Sequence, residues 1–259
     1  MTEALSDQVL TLARRSVVRT ARQPANVVFP FVFPLLLLAV NAGGLDAATN
    51  LPGFPADTYI AFALAIPFIQ GALFATMNAG TDLARDIQTG FLNRLALTPM
   101  RGVALLAGQL GGIATMGVAQ ALVYLGVGLL VGVRLATGPA GAVVLLVFAV
   151  LISIGFGALG AFAALRTGSG EAVQSLFPVF FVFLFLSSMA MPRNLIEIDW
   201  FRTVATLNPV SYLIEGIRSL IIIGWDAEAL ALGFGIAFAI TVAALFLASH
   251  ALRTRLTRS

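Results

Sequence analysis

Glu215 and Arg218 stand three residues apart in an otherwise apolar run, PVSYLIEGIRSLIII. On a helix that spacing allows an ion pair. Asp82, Arg85, Asp86, Arg94 and Arg101 form a second concentration of charge, in the segment DLARDIQTGFLNRLALTPMR at residues 82–101. Neither set is equipped for covalent catalysis. The chain holds 1 histidine, His250, which reads as an interfacial side chain rather than a ligand. It has no cysteine, which excludes disulfides and thiolate-held metals. All 15 basic residues are Arg. Without Lys there is no Walker A loop, whose Lys must reach the nucleotide phosphates. The chemistry left to these residues is ion pairing, docking and gating, driven by an energy source outside the chain.

The elements that hold these residues are built for lipid. Of the 259 residues 59% are hydrophobic and 10% charged, against about a quarter charged in a soluble domain. Mean hydropathy is +0.97. This is an integral membrane protein, and its net charge of +3 gives no reason to invoke nucleic acid. Six apolar segments lie near 27–44, 58–80, 103–132, 140–165, 172–190 and 228–250, each read as a transmembrane helix. The first carries Pro30 and Pro34, which should bend it. Gly108, Gly111, Gly112, Gly155, Gly157 and Gly160 read as small residues that let helices approach closely. Val40-Asn41-Ala42 loosely fits a signal-cleavage site, but retention of the first span is the expectation.

Residues 4–22 read as an amphipathic helix, with Leu5, Val9, Leu12, Ala13 and Val17 on one face and Arg14, Arg15, Arg19 and Arg22 largely elsewhere. That suits the interface of an anionic leaflet; a solvated tail is the alternative. With six spans both termini share a side. That side holds Arg14, Arg15, Arg19, Arg22, Arg85, Arg94, Arg101, Arg166, Arg253, Arg255 and Arg258, and the other holds Arg134, Arg193, Arg202 and Arg218. The bias makes both termini and residues 82–101 cytoplasmic. Leu83, Ile87, Phe91 and Leu95 recur every four residues there, giving a helical apolar stripe suited to docking a soluble partner; a solvated connecting loop is the plainer reading.

Residues 191–225 are too polar for a simple span and too apolar for a solvated loop. Asn208-Pro209 is a helix start, with Asn as cap and Pro at the first helical position. The helix should run to about Ile223 and end at Gly224. Asp199 to Leu207 could form a matching short helix. A re-entrant hairpin dipping in from the outer face accounts for this pattern. Glu215 and Arg218 then shape an exit gate, or they are a structural pair stitching the hairpin to the last span.

The motifs now carry a resemblance. ARQP at 21–24, DIQTGFLNRLALTPMRG at 86–102, LSSMAMPRNLI at 186–196 and LNPVSYLIEGIR at 207–218 occur in the order seen in permease subunits of type-2 ABC transporters, which the chain resembles over almost its whole length. It looks most like the daunorubicin-resistance branch of multidrug exporters. The resemblance implies one type-2 transmembrane domain over 1–259. It implies an all-α fold of six transmembrane helices, an N-terminal interfacial helix, a cytoplasmic coupling helix between spans 2 and 3, and a re-entrant helical hairpin before span 6. The coupling residues would be Asp82, Arg85, Asp86, Gly90, Phe91, Leu92, Arg94 and Pro99. The hairpin core would be Asn208, Pro209, Tyr212, Glu215 and Arg218. Asn93 stands where many members have an acidic residue, a departure that bears on which ATPase residue is contacted.

By the same resemblance two permeases, this chain with a second copy or a sister chain, sit on two ATP-binding subunits. ATP and Mg belong to those subunits, and this chain carries no cofactor or metal. The chain is then a non-catalytic subunit of an exporter in a bacterial plasma membrane. The spans between 103 and 165 contain only Arg134, at an outer turn, which argues against proton coupling and for hydrophobic or amphiphilic cargo, a drug or a lipid. Phe177, Phe180, Phe181, Phe183 and Phe185 on the fifth span are candidates to line its path, against the alternative of packing or lipid contact. Lipid-linked glycan or polysaccharide is an alternative cargo. The rival functions are an ATP-independent secondary transporter or channel, and a membrane scaffold.

Overall fold

The computed structural model describes residues 5–91, 94 and 102–256. Every regular element among them is helical. Helix α1 covers Leu5–Ala21 and α2 Pro24–Leu45. A short α3, Tyr59–Ala63, leads through Leu64 into α4, Ala65–Gln88. Helices α5, Gly102–Leu130, and α6, Gly138–Thr167, follow. Then come α7, Gly170–Gln174, α8, Leu176–Phe185, α9, Asp199–Leu207, α10, Pro209–Arg218, and α11, Ala227–Leu256. Among the described residues five stretches are long and apolar enough to cross a membrane: Val27–Asn50, Tyr59–Gln88, Ala104–Leu130, Gly138–Thr167 and Ala227–Arg255.

The fifth apolar segment of the sequence is not one long helix over 172–190. It breaks at Ser175 and stops at Phe185. Pro178 explains the break, since it has no N–H to donate to Gln174 and its ring crowds that carbonyl. The apolar helical stretch Gly170–Phe185 reaches about 24 Å at 1.5 Å per residue, short of the roughly 30 Å of a hydrocarbon core.

Helix α2 runs through both its prolines. Pro34 cannot donate to the carbonyl of Pro30, which would be orphaned in lipid. The Tyr124 hydroxyl of α5 donates to that carbonyl at 2.5 Å. The six glycines singled out above all face another helix. A Cβ at Gly160 would overlap the Thr76 carbonyl of α4, and the Thr76 hydroxyl donates to the Phe156 carbonyl of α6 at 2.9 Å. Gly108, Gly111 and Gly112 of α5 seat Leu12, Ala13 and Ser16 of α1. Gly155 meets Thr241 of α11, and Gly157 meets Ile113 of α5.

Helix α4 is the centre: its Ile69 and Leu73, together with Phe62 of α3, share one core with Phe148 and Ile152 of α6 and with Leu213, Ile214 and Ile217 of α10. Helices α2 and α11 are peripheral and turn much of their apolar surface outward. The bundle has two distinct ends. At one, Arg19 of α1 meets Asp82 of α4, Gln88 donates to the Gly168 carbonyl, and Arg255 donates to the Leu165 carbonyl. At the other, the Tyr59 hydroxyl donates to the Ala190 carbonyl and Thr137 to the Leu220 carbonyl. Residues 168–190 therefore run from one end to the other, although their helix is short.

Candidate functional site

At the end shared by α1 and α4, four charged side chains form a clamp. Arg15 and Arg19 are one turn apart on α1, and Asp82 and Asp86 one turn apart on α4, so two matched ladders face each other. Arg15 donates to both oxygens of Asp86, Nη1 to Oδ2 at 3.1 Å and Nη2 to Oδ1 at 3.0 Å. This is the two-pronged geometry that a planar guanidinium favours. Arg19 donates to Asp86 Oδ1 at 2.8 Å and places Nε 3.2 Å from Asp82 Oδ1. The Arg15 guanidinium also lies 3.9 Å over the Phe91 ring.

The segment expected to be one coupling helix over 82–101 is divided. Asp82–Gln88 are the last turns of α4, so Leu83 and Ile87 continue the stripe of that span. The chain then turns at Thr89 and Gly90, where φ is +68°, a conformation glycine takes without Cβ strain. Phe91 and Arg94 are helical again. The Arg94 guanidinium donates to the Thr89 carbonyl at 3.2 Å and is exposed, as is Arg85. Leu92 and Pro99 lie outside the described residues, as do Asn93, Leu95 and Arg101. Sequence reasoning placed Arg15 and Arg19 on the polar side of an interfacial helix and missed their carboxylate partners. The equal four-residue spacing of both pairs was the available signal. Arg14 and Arg22 are exposed, as are Leu10 and Val18.

The opposite end is organised around α9 and α10. Asn208 caps α10 as expected, its Oδ1 accepting from Val210 N at 2.9 Å. Its amide also donates to the Phe183 carbonyl at 2.6 Å and the Leu186 carbonyl at 3.1 Å, pinning the start of α10 to the end of α8. Beyond Arg218 the helix widens into a π turn, Ser219–Ile223, and Gly224 ends it at φ +116°.

The expected Glu215–Arg218 pair is not formed. Arg218 is buried, 3% exposed, and donates to three main-chain carbonyls: Phe62 at 3.0 Å, Ser188 at 2.6 Å and Met189 at 2.5 Å. Its guanidinium lies 3.5 Å from the centroid of the Phe62 ring. The reason is local. The chain leaves helical geometry after Phe185, so the Ser188 and Met189 carbonyls lack helical partners and Arg218 supplies donors. Glu215, on the open side of α10, accepts from Arg193 at 2.5 Å instead. Arg193 also lies over the Tyr212 ring, and the Tyr212 hydroxyl donates to the Thr206 carbonyl at 2.8 Å. Burial works against the Arg193 charge, but the Glu215 carboxylate and the Tyr212 hydroxyl together outweigh it and hold the Arg193 pKa above its ordinary value. Phe62, Arg193, Arg202, Glu215, Arg218 and Asp226 contribute to a half-open cleft of about 510 Å³.

The five phenylalanines of α8 fall on two sides of the helix. Phe177, Phe181 and Phe185 join Phe29 and Phe33 of α2 and Phe74 of α4 in a ladder of ring contacts 4.6 to 6.5 Å apart. Phe180 and Phe183 turn to the other side, toward α6 and α10. Among the described residues no three His, Cys, Asp or Glu gather as metal ligands.

A family model described as ABC-2 type transporter matches residues 7–222, from α1 into the π turn after α10. The chain is 29% identical over 200 residues to a daunorubicin resistance ABC transporter permease protein, DrrB1, of Streptomyces coeruleorubidus, covering 75% of this chain and 66% of that one, just under two thirds. It is 27% identical over 269 residues to a putative transport permease, ycf38, of Porphyra purpurea, with 96% and 90% covered. A ycf38 of Pyropia yezoensis is 28% identical over 225 residues, with 84% and 75% covered. The clamp of α1 on α4 and the Asn208–Arg218 segment both fall within the matched stretch, and the chain is a multi-pass membrane protein that belongs to the ABC-2 type transporter family.

Proposed function

We propose that the chain is the transmembrane permease subunit of an ATP-driven exporter of hydrophobic or amphiphilic cargo, a drug or a lipid. A separate ATP-binding subunit, two copies per pair of permeases, supplies ATP and Mg and the hydrolysis; this chain is non-catalytic. The relatives named for daunorubicin resistance and for transport support the reading, as does the lack of any Lys for a nucleotide loop. In this reading residues 168–190 are a short fifth span that brings the total to six, α1 lies at the cytoplasmic interface of a bacterial plasma membrane, and both termini are cytoplasmic. Residues 191–225 re-enter from the outer face and cover the exit.

The observation that carries the proposal is the clamp of Arg15 and Arg19 on Asp82 and Asp86. It stands where α4 gives way, across Gly90, to the segment that would meet the ATPase. A push on residues 91–101 would reach α4 directly and α1 through the clamp, and α1 would pass it to α5 through the glycine seat. The aromatic ladder of α2, α4 and α8 is the candidate cargo-facing surface. The test is ATP turnover by the candidate ATPase subunit reconstituted in lipid with this chain. Asp86→Arg and Arg94→Glu are each expected to abolish the chain's effect on turnover. Adding Arg15→Asp to Asp86→Arg should recover part of it, whereas Arg94→Glu should not respond. A chain that leaves turnover unchanged, yet passes solute alone in vesicles, would establish the ATP-independent transporter or channel instead.

A further inference from the structure

The side of α8 away from the aromatic ladder borders a cavity of about 270 Å³. Leu73 of α4, Phe156 of α6, Phe180 and Phe183 of α8 and Ala243 of α11 contribute to its wall, and Pro209 marks the start of α10 against it. We propose that this cavity holds one hydrocarbon chain of a bilayer lipid.

Four features lead there. The lining side chains contain no group able to carry charge or donate a hydrogen bond, so water would find no partner and the space would stay dry. Left empty, it would forfeit dispersion contacts on every wall. It lies near the middle of the spans Tyr59–Gln88 and Ala227–Arg255, at the depth of lipid tails. Phe183 and Ala243 are exposed, so the cavity opens outward from the bundle rather than being sealed within it. At about 270 Å³ the space lies at the small end of pockets that hold drug-sized molecules, so competition by a drug, in the test below, distinguishes a resident tail from cargo.

The site has a structural consequence. Pro209 and Val210 border the cavity beside the Asn208 cap that ties α10 to α8. A resident chain packs against the first turn of α10 from the membrane side and fills the space left by the short α8. The inference depends on neither the direction of transport nor the ATPase.

The test uses the full chain in vesicles of phosphatidylcholine with brominated acyl chains, which quench tryptophan on contact. Phe156→Trp places a buried reporter in the wall, with Trp200→Phe and Trp225→Phe removing the two native tryptophans. Fluorescence should be quenched relative to unbrominated vesicles, and Ala243→Phe at the mouth should return it to the unbrominated level. No quenching, or quenching that the plug leaves unchanged, overturns the proposal. A second measurement needs no substitution. A phospholipid with a photoreactive group in its tail should label residues 180–184 and 240–243 of the unaltered chain. Labelling confined to the outward faces of α2 and α11, around Leu36 and Phe246, overturns it. Loss of the label at 180–184 on adding an excess of an apolar drug would assign the cavity to cargo and also overturn it.

Discussion

Two arginine sites, one at each end of the bundle, solve the same problem in different ways. Arg15 and Arg19 hold carboxylates on another helix, and their side chains are 39% and 19% exposed. Arg218 is buried and holds main-chain carbonyls of two other segments. Side-chain pairs near water gain little and can be exchanged or screened. A buried guanidinium with its donors spent on backbone cannot be moved without stranding three carbonyls. The α1–α4 end is thus built to shift while staying linked, and the α9–α10 end to stay fixed.

Removing Arg218 should have the largest effect. Arg218→Met strands the Phe62, Ser188 and Met189 carbonyls and should lower unfolding stability in detergent by about 3–5 kcal/mol. A loss no larger than that of Arg15 or Arg19 would erase the contrast. Asn208→Ala removes a helix cap and the tie to α8, at a cost of about 1–3 kcal/mol by the same measurement. Glu215→Gln weakens a part-buried pair while the Tyr212 contact to Arg193 remains, so about 1 kcal/mol is expected. Arg19→Ala should cost less than about 1 kcal/mol, and raising salt from about 0.1 M to 1 M should shrink that cost further as the Debye length falls from roughly 10 to 3 Å. Arg218→Met should be indifferent to the same salt change, and salt dependence in both sites would break the comparison.

The elements most legible in the sequence were those governed by local rules. Asn208-Pro209 started α10, Gly224 ended the segment and Asp199–Leu207 formed its own helix, because capping and proline geometry act over a few residues. The glycines read as packing residues each met a neighbouring helix. The errors came where a partner lay far along the chain. Glu215 and Arg218 had good spacing for a pair, but their partners were Arg193 and a set of carbonyls more than twenty residues away. The five phenylalanines of α8 looked like one set until two different neighbours divided them. Residues 82–101 looked like one amphipathic helix because Leu83 and Ile87 share a stripe with Phe91, yet Gly90 breaks it and the first part belongs to α4.

By itself the sequence determined that the chain lives in lipid, that it lacks a Lys-based nucleotide loop, and where several of its helices begin and end. Composition and capping are properties of single residues and their near neighbours, so they survive without coordinates. Only the tertiary structure decided which charges pair, which carbonyls need outside donors and which faces of α8 are aromatic ladder or cavity wall. Those outcomes depend on which helices are adjacent, and in this bundle adjacency is set by glycine contacts and backbone breaks that join residues distant in the chain.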